Sequence, residues 1–211
     1  MRDYDGKTAA ERAAERRTRL IDAGCELFGQ RGYAATSIRS VLRKAGLRDR
    51  YFGESFADLD SLLAAVYAQL IDEEIAACRA AIANTTGASA GARAMIDALT
   101  RSLDKNPARG RIKLREILSG GPVALRQRQD GLHQLAQLVA DLLPTRSALS
   151  RNEVLLLGLA IVAAADELLL AWIDGEQGLT RGAVVDLVML VFDAIAHRMS
   201  SGLPASLSTS T

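Results

Sequence analysis

Apolar side chains recur three and four residues apart in one segment of this chain after another. The first such stripe consists of Leu20, Ala23, Leu27 and Phe28. This spacing places the four side chains on one face of an α-helix. Gly32 is expected to end that helix, because glycine readily takes the backbone conformation that closes a helix. Thr36 is placed to cap the next helix with its hydroxyl group.

Two short helices joined by a tight turn are predicted over residues 37–56. The apolar stripe of the first helix consists of Ile38, Val41 and Leu42. Gly46 can adopt the left-handed conformation that caps a helix, and Leu47 is the apolar residue that such a cap buries. The second helix is predicted to begin at about Arg48. Phe52 and Phe56, four residues apart, hold its inner face.

This arrangement is typical of a helix-turn-helix motif, whose second helix enters the DNA major groove. Outward-facing hydroxyl, lysine and arginine groups can bind phosphates or base edges. The candidate DNA contacts are Thr36, Ser37, Arg39, Lys44, Arg48, Asp49, Arg50 and Tyr51. An ordinary helical hairpin with a solvated basic face has the same pattern, so the motif alone is only moderately specific.

Residues 15–66 together resemble the DNA-binding domain of the TetR family of bacterial transcriptional regulators. The motifs that carry the resemblance are Leu27, Phe28, Gly32 and Tyr33; the Thr36-Ser37-Ile38 joint; Ala45-Gly46-Leu47; and Phe56 before Leu62-Leu63. The sequence departs from the family at Gly53, where a phosphate-contacting tyrosine is common, and at Leu59, where a lysine is common. The resemblance implies a DNA-binding domain over residues 15–66 and a regulatory domain for ligand binding and dimerisation over residues 67–200.

The rest of the chain is also helical in pattern, so the predicted fold class is all-α, with about nine helices. Asp58 is expected to cap a long helix that connects the two domains. This long helix is predicted to end at about Asn84, and a break follows from Asn84 to Gly91. The next helices are predicted from about Gly91 to Asp104, from Pro107 onward, and in the stretch that ends at Leu142. The two final helices are predicted at about 151–174 and 180–199. Residues 201–211 are predicted to form a disordered tail.

The run from Val154 to Trp172 is apolar on most faces, which indicates a helix with neighbours on several sides. The last helix has its own apolar stripe, made of Leu187, Leu190, Val191 and Ile195. In the family, the last two helices of two subunits form a four-helix bundle with twofold symmetry, so the resemblance implies a homodimer. Two identical DNA-binding domains related by a twofold axis fit a palindromic operator in double-stranded DNA. A monomer with a wholly internal helical core is the alternative.

The resemblance also implies a small, partly apolar effector that binds in the regulatory domain and shifts the protein between two states. The candidate pocket residues are Met95, Leu99, Leu114, Leu118, His133, Leu138, Asp166, Leu169 and Trp172. Most of these residues fit an ordinary helical core equally well. Asp166 and its neighbour Glu167 stand out because carboxylates in an apolar helix need partners.

Composition narrows the class of protein further. Residues 1–50 carry twelve Lys/Arg and seven Asp/Glu, a net of +5, whereas residues 51–211 carry a net of −4. A basic end suits phosphate contacts, and the cluster Arg12, Arg16, Arg17 and Arg19 lies where an arm or first helix turn could reach the DNA backbone. A solvated face is the alternative interpretation of this charge run. No apolar run of about eighteen residues and no leader-like segment is apparent, which favours a bacterial cytoplasmic protein associated with the nucleoid and not with the membrane.

Candidate enzyme chemistry is missing from the sequence. It contains no nucleophile elbow, phosphate-binding glycine loop or HExxH motif, and Cys25 and Cys78 have no metal-ligand spacing, so no cofactor, metal or disulfide is expected. The prediction is a homodimeric transcriptional regulator, and more specifically a repressor released by an effector. The alternative is a helical dimeric small-molecule-binding protein whose operator binding is weakened or lost. Its basis is that Gly53 and the acidic Asp49 lie in the second helix of the motif, called the reading helix below.

Overall fold

The computed structural model describes residues 8–144, 149–175 and 178–201. Within these ranges the regular structure is entirely helical, which confirms the all-α fold class. The α-helices are α1 (Ala9–Arg31), α2 (Ile38–Ala45), α3 (Arg50–Gly53), α4 (Leu59–Ala83), α5 (Ala88–Lys105), α6 (Pro107–Leu114), α7 (Pro122–Leu142), α8 (Arg151–Ile173) and α9 (Arg181–Ser200). A short 3-10 helix, Glu116–Ser119, precedes α7.

The chain forms two compact units, and each unit is made of two segments that are separated in the sequence. The first contains residues 1–71 and 108–129, and the second contains residues 72–107 and 130–211. Helices α4 and α7 therefore contribute residues to both units. The first unit contains the helix-turn-helix segment together with a later stretch of chain, α6 to the start of α7.

The core of the first unit is built from the stripes that the sequence predicts. Leu20 and Phe28 of α1 and Val41 of α2 are at most 1 % exposed. Close packing between α1 and α4 is possible because α1 carries Gly24, where an added Cβ would lie 3.1 Å from the Leu62 side chain. Ile38, predicted to belong to the buried stripe of α2, is instead 37 % exposed at the first position of that helix.

Two carboxylates join residues 108–129 to the rest of the first unit. Asp60, in the first turn of α4, accepts hydrogen bonds from the backbone N–H groups of Gly121 (2.8 Å), Val123 (3.0 Å) and Ala124 (3.1 Å). Pro122 has no N–H group, so Asp60 satisfies every backbone donor from residue 121 to 124, the donors that a helix start leaves without intrahelical partners. The second carboxylate is that of Glu116 in the 3-10 helix. It accepts a hydrogen bond from the backbone N–H of Tyr33, in the loop before α2, at 2.7 Å.

The second unit packs α5 and α8 against α9. Fully or nearly fully buried side chains include Leu169 of α8 and Phe192 of α9. The ion pair between Arg181 and Asp97 (3.0 Å) joins the start of α9 to α5. At Gly158, α8 approaches α7 so closely that an added Cβ would collide with a backbone carbonyl oxygen of α7.

Several predicted boundaries are corrected by the structure. The break after α4 spans only residues 84–87, because α5 begins at Ala88 and not at Gly91. The reading helix begins at Arg50 and not at Arg48. Asp58 does cap α4, as predicted, since its Oδ1 accepts a hydrogen bond from the Ser61 N–H at 2.7 Å. The predicted disordered tail lies outside the described residues beyond Ser201.

The expectation that no apolar run is long enough to span a membrane is wrong for helix α8. In the described part of the chain, Arg151–Ile173 is long and apolar enough, by length and composition alone, to cross a membrane. Core helices of soluble proteins meet the same criterion. Asp166 and Glu167 interrupt its sequence, and Leu156 leaves an apolar side chain 55 % exposed on its surface.

Candidate nucleic-acid interface

Helix α2 starts with a reciprocal cap. The Ser37 hydroxyl accepts a hydrogen bond from the Ser40 N–H (3.2 Å), and the Ser40 hydroxyl accepts one from the Ser37 N–H (3.0 Å). The prediction that Thr36 caps this helix is therefore wrong. Thr36 is buried and its hydroxyl donates to the carbonyl of Gly32 at 2.8 Å. It closes the loop before α2 instead, since a buried hydroxyl must find a partner.

The turn after α2 has the geometry that the sequence predicts. Gly46 lies in the left-handed region, with φ 64° and ψ 40°. The N–H of Leu47 donates to the carbonyl of Leu42 at 2.9 Å, and that of Gly46 donates to the carbonyl of Arg43 at 3.3 Å. This pair of bonds is the Schellman motif, which ends a helix and fixes the direction of the chain that follows.

Helix α3, the predicted reading helix, is only four residues long. Its inner face is held by Phe52 and Phe56, both less than 5 % exposed, with ring centroids 5.8 Å apart. Asp49 precedes the helix but makes no side-chain capping bond. An added Cβ at Gly53 would meet no atom within 4 Å, so this residue lies on an open surface.

The predicted DNA contacts other than Thr36 lie at or near the surface of the first unit. Arg39 is exposed on α2, whereas Arg48, Asp49 and Arg50 are exposed in the turn and at the start of α3. Ser37 is exposed at its cap position, and Tyr51 is half-buried. Lys44 is exposed and forms an ion pair with Glu26 of α1. The motif thus presents arginine side chains from both of its helices and from the turn.

Tyr51 lies between two guanidinium groups. Arg50 stacks on its ring at 4.7 Å and donates a hydrogen bond from Nη2 to the phenolic oxygen at 2.7 Å. Arg16 of α1 lies over the same ring at 4.6 Å. The hydrogen bond and positive charge of Arg50 lower the pKa of Tyr51, because both favour the phenolate. The tyrosine is therefore in contact with the first arginine of α3 and with an arginine of α1.

Three arginines in the first half of α1 contact the motif, whereas the sequence analysis considers them for contacts with the DNA backbone. Arg16 forms an ion pair with Glu54 at 2.9 Å, and Arg17 donates to the carbonyl of Ser55 at 3.2 Å. Arg19 donates to the carbonyls of Ala45 and Gly46 at the end of α2. Sequence reasoning could not identify these partners, because they lie 26 to 38 residues away and no periodicity links them.

The net charges of the two units differ more than those of residues 1–50 and 51–211. The first unit carries eighteen Lys/Arg and eleven Asp/Glu, a net of +7, and the second carries a net of −6. The increase over the N-terminal fifty residues comes largely from residues 108–129, which contain six Lys/Arg and one Asp/Glu. Positive charge concentrated on the unit that contains the motif favours attraction to phosphates.

The predicted pocket residues are distributed over both units. Leu114 and Leu118 belong to the first unit, where Leu114 is buried and Leu118 is 52 % exposed. In the second unit Met95, Leu99 and Leu169 are buried, Leu138, Asp166 and Trp172 are half-buried, and His133 is exposed. An open cavity of about 360 Å³ lies where α7 ends and α8 begins, and none of the predicted residues lines it.

No group of three or more His, Cys, Asp or Glu side chains that could hold a metal ion occurs within residues 8–144, 149–175 and 178–201. Cys78 is buried, as expected of a structural thiol, whereas Cys25 is only half-buried.

The fold and this site together define a helix-turn-helix protein with a helical body. Residues 20–66 match the family described as bacterial regulatory proteins, tetR family. A curated relative is the HTH-type transcriptional activator FasR of Mycolicibacterium smegmatis, which is 21 % identical over 184 residues, covering 87 % of this chain and 84 % of FasR.

Solved structures share the fold over most of the chain. FadR of Bacillus subtilis, in complex with stearoyl-CoA, aligns with a TM-score of 0.70 and 16 % identity over 85 % of this chain and 97 % of FadR. The fatty acid degradation regulator FadR of Bacillus halodurans aligns with a TM-score of 0.69 and 16 % identity, covering 83 % and 96 % of the two chains. The chain therefore matches the tetR family over its helix-turn-helix segment, residues 20–66, and shares its fold with the relatives named here, which are transcriptional regulators.

Proposed function

We propose that this protein is a cytoplasmic repressor that binds a palindromic operator as a homodimer and releases it when an effector binds. The observation that carries the proposal is the exposed set of arginines on a helix-turn-helix with a well-formed turn. Arg39, Arg48 and Arg50 are exposed at this motif, and arginine is the side chain best suited to guanine edges and phosphates. The DNA-binding domain is proposed to span residues 15–66, with the regulatory domain at 67–200.

Exposed apolar side chains on the last two helices support dimerisation. Leu156 of α8 and Leu187 and Leu190 of α9 are 55 %, 40 % and 67 % exposed in the single chain. They lie outside the set of side chains that pack α8 and α9 into the core of the second unit. Large leucines left in water on two adjacent, strongly apolar helices are expected to be covered by a second copy of the same face.

The effector is proposed to be partly apolar and to bind in the regulatory domain. The B. subtilis FadR structure contains stearoyl-CoA, so fatty acyl thioesters are the first class of compound to test. The sign of regulation is proposed to be repression, although FasR is named an activator. A reporter gene behind the operator, with and without this protein, distinguishes the two signs.

One observation favours the alternative of a small-molecule-binding dimer without operator affinity. Helix α3 is four residues long and includes Gly53, whose surroundings are empty. A tyrosine there would reach outward, whereas glycine offers no side-chain contact to a phosphate and weakens a helix. Arg50 and Tyr51 next to it supply polar groups that can replace this contact.

The experiment is a titration of the purified full chain with DNA fragments from its own upstream intergenic region, repeated across salt concentrations. Strong binding to one fragment is expected, with the logarithm of the binding constant falling by about 0.9 per phosphate contact for each tenfold increase in salt. Specific binding is expected to exceed nonspecific binding by about a thousandfold or more. Uniformly weak binding to all fragments contradicts the proposal and favours the alternative.

A further inference from the structure

The reading helix lacks the local features that usually keep a helix in place. With four residues it is far shorter than a helix that is stable on its own. It has no side-chain cap at Asp49, and it contains Gly53, a poor helix former. Phe52 and Phe56 anchor one face only. Contacts from elsewhere in the first unit must therefore hold the parts of α3 and its flanking residues that these rings do not cover.

Arg16 of α1 supplies one such contact. Its guanidinium forms an ion pair with Glu54, which directly follows α3, and also stacks on the ring of Tyr51 at 4.6 Å. Its side chain is only 23 % exposed. A planar guanidinium can stack and bond at the same time, whereas a lysine ammonium can satisfy only the ion pair.

Arg17 supplies a second contact just beyond α3. It donates from Nη1 to the carbonyl of Ser55 at 3.2 Å, and its guanidinium lies over the Phe56 ring at 4.4 Å. This bond fixes the backbone immediately after the reading helix. Arg16 and Arg17 thus hold the same end of α3 by its side chain and by its main chain.

Arg19 acts on the other side of the turn. It donates to the carbonyls of Ala45 and Gly46, which the end of α2 leaves without intrahelical partners. A positive charge at a helix C-terminus is also favourable, because it opposes the helix dipole. Arg19 therefore stabilises the Schellman turn that aims α3.

We infer that Arg16, Arg17 and Arg19 of α1 are positioning residues, which fix the reading helix and its turn for DNA and do not themselves bind phosphate. The inference rests on the proposed function of operator binding. It reverses the expectation from sequence, because the bonds to Glu54, Ser55 and Ala45 turn these guanidinium groups toward α3 and the end of α2. It also explains how so short a helix, with a glycine in it, can present Arg50 in a fixed direction.

The first test is amide hydrogen exchange in the DNA-free full chain. In Arg16→Ala and Arg17→Ala, the hydrogen-bonded amides of Phe52 and Phe56 are expected to exchange about tenfold faster, with the amides of α4 unchanged. The matched control is Arg31→Ala, which removes an exposed arginine from the last turn of the same helix. Wild-type exchange rates in both variants would overturn the inference, whether or not the protein binds DNA.

The second test uses operator affinity and its dependence on salt. For a positioning residue, Arg16→Lys is expected to weaken operator binding about tenfold with an unchanged salt slope, because charge is kept and stacking is lost. Adding Gly53→Ala, which strengthens α3 where there is room for a methyl group, is expected to restore part of the affinity.

A phosphate contact would behave differently. Arg16→Lys would then keep nearly full affinity, and Arg16→Ala would reduce the salt slope by about one. That pair of results overturns the inference while leaving operator binding intact. If the wild-type protein binds no DNA, the proposed function fails, and the exchange measurement still decides whether α1 holds α3.

Discussion

The Asp60 carboxylate provides the sharpest stability prediction for the first unit. It accepts three backbone hydrogen bonds at the start of α7, from residues that follow it by 61 to 64 positions. Gly121 allows this approach, since a Cβ there would lie 2.7 Å from Oδ2 of Asp60. Asp60→Ala removes the acceptors and leaves those N–H groups to partial solvation.

The magnitude follows from the role of Asp60 as a cap supplied by another helix. Loss of an N-cap costs about 0.5–2 kcal/mol, and a hydrogen bond to a charged group contributes about 1.5–3 kcal/mol. Because Asp60 is only partly buried, water recovers some of this, and the expected loss in free energy of unfolding is about 2–4 kcal/mol. Asp60→Asn keeps one acceptor oxygen but loses the charge opposite the helix dipole, so about 1 kcal/mol is expected.

Urea denaturation of the full chain, followed by far-UV circular dichroism, measures these differences. Asp72→Ala is the matched control, because Asp72 is exposed on the same helix and the charge change is identical. The control is expected to lie within about 0.5 kcal/mol of wild type. If Asp60→Ala is no more destabilising than Asp72→Ala, the cap does not contribute to the stability of the protein.

Three further predictions concern packing, assembly and recognition. Gly158→Ala is expected to lower the free energy of unfolding by about 1–3 kcal/mol, because its Cβ would collide with the α7 backbone. The control is Gly182→Ala, where the added Cβ would have no atom nearer than 3.9 Å, and it is expected to be neutral or slightly stabilising. Equal effects of the two substitutions would contradict the close approach of α8 to α7. Leu190→Glu is expected to convert a dimer to a monomer in sedimentation velocity with unchanged helicity, and an unchanged oligomeric state would remove this face from the proposed interface. Arg48→Ala and Arg50→Ala are each expected to weaken operator binding by about 1–3 kcal/mol, and unchanged affinity in both would refute their assignment as base readers.

Local rules predicted much of the motif. The turn at Gly46 and Leu47 depends on residues within five positions of each other, so its bonds could be read from the sequence. Phe52 and Phe56 are buried as their spacing predicts, although α3 ends at Gly53 and Phe56 lies beyond it. The cap at Ser37 was missed because Thr36, its neighbour, carries an equivalent hydroxyl group, and only the three-dimensional loop shows which one meets the Gly32 carbonyl.

Contacts between distant segments could not be predicted. Nothing near Asp60 in the sequence indicates that its carboxylate caps α7, and nothing near Arg16 points to Glu54. For the same reason the membership of residues 108–129 in the first unit is visible only in the fold. The candidate pocket residues stay a prediction, because an amphipathic stripe does not distinguish the lining of a ligand site from a closed core.

In the proposed mode of binding, a pair of helix-turn-helix motifs, one from each subunit, binds a palindromic operator. Hydroxyl-radical footprinting of the wild-type protein on its highest-affinity upstream fragment measures the symmetry of the bound site. We expect two protected half-sites related by twofold symmetry, with centres one DNA turn or a multiple of it apart. A single unsymmetrical protected stretch, or no protection at concentrations that shift the fragment, would contradict it.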